Sequence, residues 1–318
     1  MCCVLFGCMS VTIPVLFPVF ACASNNKDML VVGGGGGNTS FGVCNMIQCY
    51  VMVGDSLHKL CEYNTGSNVP TCIEYKDNVW TCAFDKYAMI FSVDIKFNIG
   101  AILHNPNGFR FLKFSSNVFV SGTNNGYCYI YSNTGKLLHT IFTNINDAVV
   151  DVTQTNTSSW IIACRNGTIQ IYDENYQLVN VILNKSFNIR RIQVLADKDI
   201  LAYCYAPRGP SSIQKDNNTL VKIGNGVISF VNLETDKIIM GYASGTTEVW
   251  RNNKLMYKSR VEHDMPVSAA AWLGDVLITV GADYSIRVHG SQIGSNRRWF
   301  MWASVVIVAV LAYFLNLA

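Results

Sequence analysis

Five histidines, His58, His104, His139, His263 and His289, are the first places to look for acid–base or metal chemistry in this chain. No HExxH pair and no nucleophile elbow surrounds any of them, so each is expected to be a surface or structural residue and no hydrolase is spelled out. The twelve cysteines are scattered from Cys2 to Cys204 without repeated spacing or paired CxxC elements. Cys82, Cys128, Cys164 and Cys204 sit inside apolar runs, as free cysteines do when they act as small buried hydrophobes rather than as zinc ligands. The remaining unusual chemistry belongs to the backbone. Gly33–Asn45 reads GGGGGNTSFGVCN, and consecutive free N–H groups can wrap an anion. A phosphate cradle is weakly supported, because no GxxxxGK[ST] follows and the residues after Asn45 read as strand, where a GxGxxG fingerprint needs a helix. A flexible insertion without a role and a loop displayed for binding both remain open.

The elements that would position this loop are strands. Four segments share a short apolar run ending in a small residue, a tight polar turn and a second run of β-formers: Phe119–Tyr131, Ile161–Tyr172, Ile238–Trp250 and Ile278–His289. Their small residues are Gly122, Cys164, Gly241 and Gly281, and weaker copies supply Gly33, Ala83 and Cys204. Successive spacings of 50, 39, 42, 40, 37 and 40 residues suit four-stranded propeller blades, and seven anchors imply seven blades. Asn125-Gly126 and Asn166-Gly167 supply the positive φ that short reversals need. The pattern resembles WD-type repeats, with His263 ahead of the last blade and Asp283 in its turn. The fold expected is all-β, a seven-bladed β-propeller over residues 1–296 in which a strand within Cys3–Ile13 completes the last blade and removes an exposed edge. The spacing of 50 in the first blade is the outlier, and its excess lies in Gly33–Asn45 between the strands Met29–Val32 and Met46–Val53. Ala206–Asn218 reads as a second long loop, in the fifth blade. Lys185, Arg190 and Arg191 read as a solvated charged edge in preference to a partner patch.

The chain's 318 residues are 50% hydrophobic and 14% charged, with a net charge of +3, so there is no basic field and no nucleic-acid partner is expected. Trp299–Ala318 is an uncharged run, the length a helix needs to cross roughly 30 Å of hydrocarbon. Arg297 and Arg298 precede it, which by the positive-inside bias leaves the propeller in the cytosol and makes residues 297–318 a transmembrane tail anchor. Met1–Ser24 is also uncharged, but no Lys or Arg precedes its apolar part and Pro14 and Pro18 interrupt it, so strand is preferred to signal peptide. The sequons at Asn38, Asn156, Asn166, Asn184 and Asn217 are then expected to stay unmodified.

Taken in order, a strand Pro18–Ala23, a strand ending in GGGG, a loop closing in GVCN, a seven-bladed propeller, the ending HDMPVSAAAW…DYSIRVH and an apolar tail resemble one family. These are the exchange factors that start COPII coat assembly at the endoplasmic reticulum, the family that includes prolactin regulatory element-binding protein. The resemblance implies a guanine-nucleotide exchange factor, not an enzyme of covalent chemistry, facing the cytosol from the endoplasmic reticulum membrane. Its partner would be a secretion-associated Ras-like small GTPase. It further implies that Gly33, Gly34, Gly35, Gly36 and Asn45 form a loop ordered by a potassium ion, and that Gly42, Val43 and Asn45 contact the GTPase. Asn38-Thr39-Ser40-Phe41 and Cys44 depart from that pattern. Competing readings are a membrane-anchored scaffold that gathers partners without exchange activity and, behind it, a lumenal propeller enzyme.

Overall fold

The computed structural model describes residues 10–290 apart from 39, 41, 184–186, 195–199, 206–210, 216–217, 224–226, 235–236 and 252–253. Seven antiparallel sheets of four strands each form the blades of a β-propeller. Blades one to six span residues 19–66, 72–104, 111–142, 149–183, 188–223 and 228–258, each using its strands in chain order from the axis outward. Blade seven takes three strands from residues 267–289 and its outermost strand, Ser10–Pro14, from the other end of the chain. The register places Ser10 opposite His289 and Pro14 opposite Ser285, so the first and last strands close the ring. The expected closing strand is therefore present, and of the stretch Cys3–Ile13 the residues before Ser10 lie outside the described ones. The apolar run Trp299–Ala318 also lies outside them, as does the boundary at 296; among the described residues no helix is long and apolar enough to cross a membrane.

Cores form between neighbouring blades rather than at one centre. Val31 and Ile47 of blade one pack with Trp80, Phe84 and Phe91 of blade two, for example, and Ile239 of blade six packs with Trp272 of blade seven. All seven anchor residues fall in the second strand of their blade. Their small size has a packing cause: a Cβ on Gly122 would come within 2.8 Å of Val149, and one on Gly241 within 2.8 Å of Val267, both in the first strand of the next blade. The outermost strands read exposed, as in Leu178–Leu183.

The reading of Ala206–Asn218 as a long loop is corrected. Ser211–Lys215 is the third strand of blade five, and its first four residues are buried. Ser211, Ser212 and Gln214 are polar, which hid the strand from hydrophobic patterning, but they lie between two paired neighbours where backbone bonding rather than side-chain burial decides the conformation. The echo of Thr168-Ile169-Gln170 in Ser212-Ile213-Gln214 was the available cue.

Candidate functional site

Blade one displays the glycine-rich loop, and each part of it has a specific packing partner. Gly33 and Gly34 end the strand Met29–Gly34, paired on one side with Ala21 and Val19 and on the other with Ile47 and Met46. A Cβ on Gly34 would lie 2.0 Å from the Pro18 carbonyl, which itself accepts the Gly35 N–H at 3.0 Å. Gly35 has φ +151 and leaves room for Asn45, whose Oδ1 would be 2.1 Å from any Cβ there. Gly36 lies against Val43, where a Cβ would be 2.6 Å from the valine's own. Glycine is thus required here by close approach of other chain segments.

Asn45 holds the base of the loop. It is fully buried; its Oδ1 accepts the Gly37 N–H at 2.9 Å, and its Nδ2 donates to the carbonyls of Gly37 at 2.6 Å and Gly66 at 2.8 Å. Three bonds from one buried carboxamide join the two ends of the loop to the outer strand of the blade and hold its base in place. Gly42, at φ +74, and Cys44 are exposed with Asn38 and Ser40, whereas Val43 is half-buried against the core of blades one and seven. The sequence-derived residues therefore divide. Gly35, Gly36, Val43 and Asn45 come together at the base; Gly33 and Gly34 are strand; Gly42 belongs to the displayed tip. Asn45 orders the base of the loop through its own amide, with Oδ1 on the Gly37 N–H and Nδ2 on two carbonyls, which leaves one Oδ1 lone pair for a cation.

The same face carries a buried hydrogen-bond chain in blade seven. His263 Nδ1 donates to the Asp283 carboxylate at 3.0 Å, leaving Nε2 to accept from the Thr279 hydroxyl at 2.9 Å. The Thr279 oxygen then accepts from His289 Nε2 at 2.9 Å, and His289 Nδ1 lies 3.2 Å from both the Tyr257 hydroxyl and the Glu262 carboxyl. Burial, followed by the charges of His263 and Arg287, pushes His289 down to about 3, and burial also lowers His263. For Asp283, burial alone would act upward, but bonds from His263 and Ser285 hold it below the usual carboxylate range. Two of the five histidines thus serve the fold, as the sequence reading expected.

Around the axis the innermost strands hold one charged side chain from each of four successive blades: Glu74, Lys113, Asp151 and Arg191. Asp151 is fully buried, ion-paired with Lys113, and accepts from Arg191 Nε at 3.3 Å and from the Ile192 N–H at 3.0 Å; Glu74 faces Arg191 at 3.7 Å. Bulges just before Asp151 and Arg191 aim these side chains inward. This corrects the solvated-edge reading of Arg191, which lines the channel; Arg190 is half-buried over the Tyr205 ring, and Lys185 lies outside the described residues. The channel includes a cavity of about 500 Å³ bordered by Cys22, Glu74, Arg191 and Asn232. The described cysteines are free, and among the described residues no group of three or more His, Cys, Asp or Glu side chains converges as a metal site would require.

No protein-family profile matches the chain, and no curated protein sequence matches it. Among solved structures, the crystal structure of the computationally designed Ika8 protein superimposes with a TM-score of 0.62 at 16% identity, covering 87% of this chain and 97% of that one. At that identity the likeness speaks to fold alone. The chain is a seven-bladed β-propeller with a glycine-built loop on its first blade, pinned at its base by Asn45.

Proposed function

We propose that this protein is a guanine-nucleotide exchange factor for a secretion-associated Ras-like GTPase, acting in COPII coat initiation from the endoplasmic reticulum membrane, with Trp299–Ala318 as its anchor. The observation that carries the reading is the pinned loop of blade one: Asn45 fixes its base while Asn38, Ser40, Gly42 and Cys44 are presented to solvent. Its agreement in sequence order with the loop of the exchange-factor family gives it a partner. Exchange needs no covalent chemistry. A loop that fits the nucleotide-free GTPase better than the nucleotide-bound form weakens the grip on GDP by the same factor, because linkage is reciprocal. GTP then refills the site. A base already pinned by Asn45 favours this role, since that part of the ordering entropy is met in folding and not at binding.

The chain ends suit this arrangement. Pro14 and Tyr284 lie toward the loop, through the Val15 N–H to Tyr284 carbonyl bond at 3.0 Å, whereas Ser10 and His289 lie at the other end of their strands. A membrane anchor following His289 would therefore leave the loop pointing away from its exit. The competing scaffold reading also uses an exposed loop but requires no preference among nucleotide states. Binding of the full chain, in detergent micelles, to GDP-loaded and nucleotide-free GTPase separates the two. The exchange reading expects much tighter binding to the nucleotide-free form, and equal affinity for both would overturn it. Replacing potassium by sodium separates a loop ordered by the ion, whose preference would weaken, from one ordered by Asn45 alone, whose preference would not change.

A further inference from the structure

On the face that carries the glycine loop, but across the axis from it, three arginines come from three successive blades. Arg110 precedes the first strand of blade three and donates its N–H to the Gly122 carbonyl at 2.8 Å. Arg165 follows the second strand of blade four; its N–H reaches the Ala148 carbonyl at 2.8 Å, and its own carbonyl accepts the Ile189 N–H at 3.0 Å, next to Arg190 in blade five. These backbone bonds stitch the connections of adjacent blades together and set the three arginines along one rim of that face, near enough for the Arg190 and Arg165 charges to act on Arg110. Their partners are few. Arg110 Nη1 meets Asn124 Oδ1 at 3.1 Å, Arg190 Nε meets the Ile228 carbonyl at 3.3 Å, and Arg165 pairs with Asp147 at 2.6 Å. Burial, then the neighbouring guanidiniums of Arg190 and Arg165, push Arg110 below its ordinary range. Among the described residues, three permanent cations are thus held together against a single carboxylate, and the ring of Tyr205 lies 5.1 Å beneath Arg190.

From this juxtaposition we infer that Arg110, Arg165 and Arg190 form a recognition site for an acidic segment of a protein partner. Guanidiniums offer paired N–H donors matched to carboxylates, and gathering three of them costs repulsion that an anionic occupant relieves. Tyr205 adds a flat wall that keeps Arg190 extended. A phosphorylated lipid headgroup has matching chemistry, but the position of the site argues for a protein source. Arg110, Arg165 and Arg190 lie on the loop face, whereas Ser10 and His289, where the described chain begins and nears its end, sit at the opposite face. The site goes beyond the exchange reading, and only the choice of a protein over a lipid source rests on the membrane anchor proposed with it.

The test uses the full chain in detergent micelles and a short fluorescent peptide of aspartate and glutamate, followed by anisotropy at low and at physiological salt. Binding that weakens with salt is expected, with the Arg165→Gln/Arg190→Gln double variant binding about tenfold more weakly at an unchanged melting temperature. Lys136→Gln, an exposed change in the turn before Leu137–Phe142 on the opposite face, is expected to bind as the wild type does. The inference is overturned if the peptide does not bind, if the double variant binds it equally well, or if Lys136→Gln costs as much. Binding to phosphoinositide vesicles in place of the peptide would also overturn it, since the source would then be lipid.

Discussion

Asn45 shows how one side chain decides whether the loop is a site at all. Asn45→Asp keeps the shape but loses both N–H donors, leaving the Gly37 and Gly66 carbonyls unpaired beside a buried charge. A loss of about 2–4 kcal/mol is expected in urea unfolding, together with protease sensitivity in residues 36–44. A loss no larger than that of an exposed substitution would remove the clamp from the account. His289 gives a second residue-scale prediction. Its folded pKa of about 3 lies below the roughly 6.5 of an unfolded histidine, so its contribution is present above pH 6.5 and is lost as pH falls. His289 alone should cost about 2 kcal/mol by pH 5. His263 acts in the same direction, while Glu262, pushed up by burial, trims the loss. His289→Gln should flatten the acid limb of a stability–pH profile, and an unchanged slope would contradict the neutral chain of hydrogen bonds. The sequence showed Asn45 as a loop-closing residue, His263 ahead of the last blade and Asp283 in its turn. It did not show that Asn45 faces inward, because that depends on Gly66, 21 residues away.

At the scale of elements, the anchor glycines separate packing from backbone freedom. Gly122→Ala places a Cβ 2.6 Å from the Phe111 ring and 2.8 Å from Val149, so it should destabilise by about 1–3 kcal/mol. Gly100, in the outermost strand of blade two, meets only the Ile90 carbonyl at 3.5 Å, and Gly100→Ala should be neutral or stabilise by up to about 1 kcal/mol. Comparing the two melting temperatures checks the packing account; equal shifts would sink it. Strands whose small residue meets the next blade were legible because the constraint repeats. Ser211–Lys215 was not, since its polar residues are held by two neighbouring strands and carry no apolar signal. Arg191 was misread for a related reason: a bulge sets its direction, and bulges leave no mark in a period-two pattern.

For the whole molecule, the repeat spacing near forty residues specified seven blades, and the apolar N-terminus specified how the ring closes. Charge placement was not legible, because the cluster of Glu74, Lys113, Asp151 and Arg191 exists only once four blades surround an axis. The closed ring is a rigid support from which a short loop can press on a partner without yielding, and the anchor proposed for Trp299–Ala318 would hold that support at the membrane where the partner works. The most direct test is the release rate of a fluorescent GDP analogue from the secretion-class GTPase, with the full chain in micelles and with its Ser40→Lys/Cys44→Lys variant, which alters only exposed loop residues. Accelerated release is expected from the wild type, and release near the uncatalysed rate from the variant at an unchanged melting temperature. Release that the folded wild type does not accelerate, or accelerates equally with the altered loop, would contradict the exchange reading.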